Sequence, residues 1–95
     1  MSEADTIRSG RPLPKIAAAY AGADRLLHVV LRYPDGVVEK IVDLGPVFAS
    51  GWVYAPLRDD DVLFASMRVN EGGNALEFGD GRKISAAQIE RLPQR

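Results

Sequence analysis

The tripeptide Pro34-Asp35-Gly36 sits between two apolar, β-branched runs, residues 25–33 and 37–44. No other feature restricts the fold as strongly. Proline presets the first dihedral of a turn and aspartate suits the second position, while glycine accepts the left-handed backbone that a three-residue loop with a bulge requires. The two runs are therefore expected to form an antiparallel hairpin with Tyr33 opposite Val37. Side chains alternate along a strand, so this register puts Leu27, Val29, Leu31, Tyr33, Val37 and Ile41 on one face with Glu39 and Asp43. The other face would carry Leu26, Val30, Val38, Val42 and Leu44 with His28, Arg32 and Lys40. Both faces are largely apolar, so packing is expected against each.

The flanking segments supply short elements to cover such a ribbon. Pro12 and Pro14 favour extended backbone, after which Lys15-Ile16-Ala17-Ala18-Ala19-Tyr20 reads as strand or short helix. Its brevity and the turn-like Ala21-Gly22-Ala23-Asp24 favour strand. Gly45–Gly51, bracketed by glycines, predicts a turn or a single helical turn that carries Phe48 inward. Residues 52–57 read as an extended apolar connection. Asp59 is expected to cap a short helix over 62–67, with Asp60 and Asp61 against its positive end. Three short strands follow, around 67–69, 75–78 and 82–84, joined by glycine turns at Gly72-Gly73 and Gly79-Asp80-Gly81. Ser85-Ala86-Ala87-Gln88 is a capping box that opens a helix ended by Pro93, with Ile89 and Leu92 docked on the sheet.

These elements give an α+β domain over residues 13–95: a small antiparallel sheet of hairpins, a short central helix and a capped C-terminal helix. Residues 1–12 contain Ser, Glu, Asp, Arg, Gly and Pro with a single Ile, too little apolar surface to offset the entropy of ordering, and read as a disordered tail. A chain of 95 residues with 46% hydrophobic and 26% charged side chains suits one globular domain. Chains of this size bury only somewhat more than ~60% of their unfolded surface, so a homodimer is a candidate assembly. The twelve Lys and Arg against thirteen Asp and Glu give a net charge of −1, which removes the usual electrostatic drive toward nucleic acid. The absence of Cys excludes disulfides, thiolate metal sites and cysteine nucleophiles. No apolar run approaches the ~20 residues of a membrane helix. Met1-Ser2-Glu3-Ala4-Asp5 also lacks the pattern of a signal peptide, so no membrane association and a cytoplasmic location are expected.

From Leu26 to Leu92 the order of signals resembles a bacterial family known only as domain of unknown function 2442. The shared landmarks are Leu31-Arg32-Tyr33-Pro34-Asp35-Gly36, then Val42-Asp43-Leu44, then Ala55-Pro56-Leu57-Arg58-Asp59. Leu63-Phe64-Ala65, Val69-Asn70-Glu71-Gly72-Gly73-Asn74 and Leu76–Ile84 complete the set. The resemblance implies a small α+β domain. It also implies a regulatory or antitoxin-like binding role, with a small toxin-like protein as the partner.

No residue set here carries a recognisable chemistry, and neither a catalytic group, a metal nor a cofactor is expected. Asp59-Asp60-Asp61 with Asp43 is the one tempting oxygen cluster, but it lacks the alternation and the distant Glu of a calcium loop and reads as a helix cap. His28 is the sole imidazole, within a strand and without a neighbouring nucleophile. The glycine turns lack the spacing of a phosphate loop. A non-enzymatic protein-interaction module is the leading expectation, with Trp52, Tyr54 and Arg58 as candidate partner contacts, because aromatics and Arg anchor interfaces. Whether Trp52 and Tyr54 are core or interface stays open at this level. The alternatives are a small ligand- or metal-binding protein or enzyme with a cleft near Asp59 and Trp52, and a weak nucleic-acid binder using His28, Arg32 and Lys40.

Overall fold

The computed structural model describes residues 13–95, so the expected tail at residues 1–12 lies outside the described residues. Two three-stranded antiparallel sheets enclose one core, where a single small sheet was expected. In the first, β1 (Lys15–Ala21), β2 (Leu26–Tyr33) and β3 (Gly36–Asp43) lie in sequence order. In the second, β4 (Arg68–Val69), β5 (Ala75–Glu77) and β6 (Lys83–Ser85) do the same. Between them in sequence come three helices of about one turn, α1 (Gly45–Ala49), α2 (Ala55–Asp59) and α3 (Asp61–Ala65). The helix α4 (Ala86–Glu90) follows β6 directly. The fold is α+β, and no helix among the described residues is long and apolar enough to cross a membrane.

Residues 15–20 form a strand despite their alanines, because β2 offers a full ladder of partners to pair with. Ile16 pairs with Leu31 and Ala18 with Val30, which leaves Ala17 as an extra, exposed residue in a β-bulge. The hairpin forms as expected, with its register one residue away from the expected one. Tyr33 pairs with Gly36, Arg32 with Val37 and Leu31 with Val38, so the loop is only Pro34-Asp35. Gly36, at φ +154°, lies in a region that L side chains rarely adopt and begins β3 instead of forming a left-handed bulge.

That single-residue difference exchanges the two faces of β3. Val38, Lys40 and Val42 share the core face with Leu27, Val29 and Leu31, while Val37, Glu39, Ile41 and Asp43 share the other with His28 and Arg32. Burial explains the choice. The expected register would have turned Glu39 and Asp43 toward the core, whereas the observed one turns in Val42, fully buried, and Lys40. The Lys40 stem is long enough for its ammonium to reach carbonyl oxygens of Glu90 and Leu92, 3.1 and 2.8 Å away. The expectation of packing on both faces also fails: Tyr20, His28, Arg32, Val37, Glu39 and Ile41 are exposed.

The core is one cluster drawn from every layer. Ile16, Leu27, Val29, Leu31, Val42 and Leu44 come from the first sheet and its end, Phe48, Leu57 and Phe64 from α1, α2 and α3, and Leu76, Phe78, Ile84 and Ile89 from the second sheet and α4. Phe48 is at its centre, with ring centroids 6.0 Å from Phe64 and 6.5 Å from Phe78, both edge-on. The sheets are stitched at the start of β1, where Ile16 N–H donates to Gly73 O at 2.7 Å and Lys15 Nζ to Asn74 Oδ1 at 2.7 Å. Gly73 holds φ +71°, and a Cβ there would come within 3.1 Å of Ile16 O, so the position requires glycine twice over. Ser85 Oγ accepts from Gln88 N–H at 3.0 Å, the expected cap of α4, and Ile89 beneath it is fully buried.

Residues 52–57 are not extended. Trp52–Tyr54 form a 3₁₀ turn that runs into α2, because Pro56 has the fixed φ and missing N–H that suit a helix start. The cap of α3 is Asp60 rather than Asp59: its carboxylate accepts from Leu63 N–H at 3.0 Å, and Asp59 is the last residue of α2.

Candidate functional site

The segment 52–62 collects the exposed apolar side chains of the helical layer: Trp52 at 86%, Val53 at 47% and Val62 at 81%. Its geometry begins with Gly51, in ordinary extended backbone, followed by the 3₁₀ turn closed by Tyr54 N–H donating to Gly51 O at 3.2 Å. The turn faces its two aromatic residues differently. Tyr54 is half-buried against Phe48, ring centroids 6.0 Å apart, whereas Trp52 points to water. The expected pair of aromatic contacts thus resolves into one core-side and one solvent-side residue.

Two arginines to which the sequence reading gives no structural role fix this segment, Arg82 entering it only as an addition to the basic stripe of His28, Arg32 and Lys40. Arg82 Nε donates to Val53 O at 2.7 Å while its guanidinium pairs with Asp80, so the Gly79–Gly81 turn grips the 3₁₀ turn. Arg25, its side chain only 16% exposed, donates to Leu57 O and Arg58 O, each at 2.8 Å, and lies 2.7 Å from Asp61 Oδ1. The same guanidinium stacks 5.0 Å above the Phe64 ring. It joins the C-terminal end of α2 to the start of α3 and to the core. Asp24 and Arg25 both have positive φ, at 55° and 65°, a conformation that turns Arg25 inward. No local motif announces either role, since both depend on partners about thirty residues away.

Arg58 stands at the exposed end of α2 and holds Asp59 in a two-pronged contact, Nε to Oδ1 at 2.9 Å and Nη2 to Oδ2 at 3.1 Å. That hydrogen bond holds the Asp59 carboxyl below its ordinary range and raises the Arg58 guanidinium. Asp59, Asp60 and Asp61 therefore do three different things: pair with Arg58, cap α3 and pair with Arg25. Among the described residues no group of three or more His, Asp or Glu is arranged to hold a metal ion.

The basic trio His28, Arg32 and Lys40 is not brought together. His28 and Arg32 share the outer face of the first sheet, while Lys40 lies on the core face, bound to the end of α4. His28 sits edge-on to Tyr20 at 6.4 Å and its Nε2 is 3.9 Å from Glu39 Oε1, so acidic groups interrupt this face. Ser50 and Ser66, which the fold could have brought near the imidazole, are both engaged with backbone. Ser50 Oγ donates to Val47 O, and Ser66 Oγ donates to Leu63 O while accepting from Gly79 N–H.

A groove of about 680 Å³ opens between the hairpin tip and the C-terminal segment, lined by Tyr33, Val38, Lys40, Glu90, Leu92 and Pro93 among others. Neither Trp52 nor Asp59 lines it, so it lies apart from the expected cleft. Comparison with family models, with curated proteins and with solved structures finds no match to this chain.

Proposed function

We propose that this chain is a non-enzymatic protein-interaction module that engages a protein partner through residues 52–62, with Trp52 as the anchor. The observation that carries the proposal is the exposure of Trp52, 86%, on a turn whose backbone is pinned by Arg82. Tryptophan is highly buried on average, and a small domain that holds its only indole in water forgoes a large hydrophobic gain. A rigid aromatic on a rigid turn loses little conformational entropy when a partner covers it, which is the usual make-up of an interface hot spot. Arg58, restrained by Asp59, stands at the rim as a polar contact. The motif order that resembles domain of unknown function 2442 supports a regulatory, antitoxin-like use of this surface, with a small toxin-like protein as the partner.

The test begins with affinity purification of the full chain from its native host, followed by titration of the recovered protein with wild type and Trp52→Ala. The variant is expected to weaken the complex at least ~30-fold, the effect of a hot-spot residue worth ~2 kcal/mol. Fluorescence of the sole tryptophan should shift to shorter wavelength as the partner covers it. Equal binding by Trp52→Ala, wild-type emission that stays unchanged when the partner binds, or recovery of a tightly held metabolite in place of a protein would each overturn the proposal.

A further inference from the structure

The first sheet has a second face on the opposite side from the helices and the core, and among the described residues nothing covers it. Pairing across the strands puts apolar Tyr20, Val30 and Ile41 in its middle, Tyr20 62% and Ile41 38% exposed. Arg32 stands at its hairpin-tip end and Glu39 on β3, while Asp43 at the far end of β3 is already held by Arg95 at 3.4 Å and by Gly45 N–H at 2.9 Å. Among the described residues Arg32 has no side-chain hydrogen bond or ion pair, and Glu39 Oε1 lies 3.9 Å from the His28 ring nitrogen Nε2. An apolar centre with one sign of charge on one strand and the opposite sign on the next is a poor match for any strongly charged partner. Nucleic acid would meet Glu39 and Asp43, and an acidic protein would meet them too. It is complementary to itself, because a two-fold axis makes every contact twice and can lay the cation of each copy over the anions of the other.

We propose that the chain pairs with a second copy of itself through this outer face, Arg32 of one protomer meeting the partner's Glu39, and the reverse. Three strands about 4.8 Å apart and seven or eight residues long present a footprint of about 14 by 27 Å, well below the ~800 Å² per partner of a standard interface. The dimer is accordingly weak and concentration-dependent. Residues 45–65 pack on the opposite face of this sheet, so both copies keep Trp52 outward and the dimer presents that surface twice.

Sedimentation velocity of the full chain over a hundredfold concentration range tests the pairing. Wild type should shift from monomer toward dimer mass. Arg32→Glu and Glu39→Arg, each at an exposed position, should each lose association at least tenfold, because both copies of the contact become repulsive. An equimolar mixture of the two variants should recover association as a one-to-one heterodimer, since every contact again joins opposite charges. Ile41→Lys should remain folded by circular dichroism and stay monomeric through loss of the apolar centre, which covers the case of a charge variant that fails to fold. A wild type that stays monomeric throughout, variants that associate as wild type does, or a mixture that stays monomeric would each overturn the proposal.

Discussion

Replacing Lys40 with Met separates the two possible registers of the hairpin by their energies. In the observed register the Lys40 ammonium donates to Glu90 O and Leu92 O, at 3.1 and 2.8 Å, and satisfies carbonyls at the end of α4. Methionine keeps most of the stem that packs along the core face and removes only the charged donor. Hydrogen bonds to charged groups are worth about 1.5–3 kcal/mol each when well shielded. Both carbonyls are partly buried, and water can replace the ammonium, so the two together are worth about 1–2 kcal/mol. For a domain of this size each kcal/mol moves Tm by about 4–8 °C, so Lys40→Met should melt about 5–15 °C lower. Arg32→Met, on the outer face, should stay within about 0.5 kcal/mol of wild type at low protein concentration. Denaturant titration and thermal melts by circular dichroism provide both numbers. A Lys40→Met protein as stable as Arg32→Met would refute the register, and with it the assignment of faces throughout the first sheet.

Three further outcomes follow from the packing. Phe48→Ala removes a fully buried ring that touches Phe64, Phe78 and Tyr54, and should cost about 3–5 kcal/mol in urea unfolding, a large share of a small domain's stability. Gly73→Ala, strained at φ +71° and crowded by Ile16 O, should destabilise by more than about 1 kcal/mol. Gly51→Ala, with ordinary extended backbone and open space at the added methyl, should be near neutral, and equal effects at the two glycines would contradict the stitch between the sheets. Asp59 titrates below its ordinary range when folded, so the Arg58 contact stabilises above the unfolded value and fades as pH falls through the folded one. In an NMR titration, Arg58→Ala should move the Asp59 midpoint upward, and an unmoved midpoint would remove the pairing as its cause.

Much of the chain's plan could be read from the residues because the signals were local. The turn at Pro34-Asp35 joins the strands it was expected to join, Ser85 caps the helix it was expected to cap, and Phe48 enters the core from a single helical turn. What could not be read is equally specific. Gly36 suits either a left-handed bulge or the first paired residue of β3, and the choice rests on whether β3 turns two carboxylates or one lysine toward the core, a comparison made only once the other elements are docked. The shift of the cap from Asp59 to Asp60 has the same origin, since Pro56 starts a helix that takes Asp59 as its last residue. Among the candidate contacts, Trp52 and Tyr54 were indistinguishable by type, and only the sense of the 3₁₀ turn sends one to Phe48 and the other to water. Arg25 and Arg82 left no trace in the sequence because the carbonyls they hold are distant in the chain.

The bulge at Ala17 gives β1 an unusual tolerance. Ile16 already opposes Leu31 and Ala18 already opposes Val30, so excising Ala17 would close the ladder into regular alternation without moving a single neighbouring side chain across the sheet. Ala17, Ala18 and Ala19 are identical, so removing any one of them gives this same chain, whereas loss of Tyr20 would shift the residues after it by one and send the wrong members inward. This strand can therefore be shortened within its alanine run, and a deletion scan should find a stable protein there and a damaged one at Tyr20.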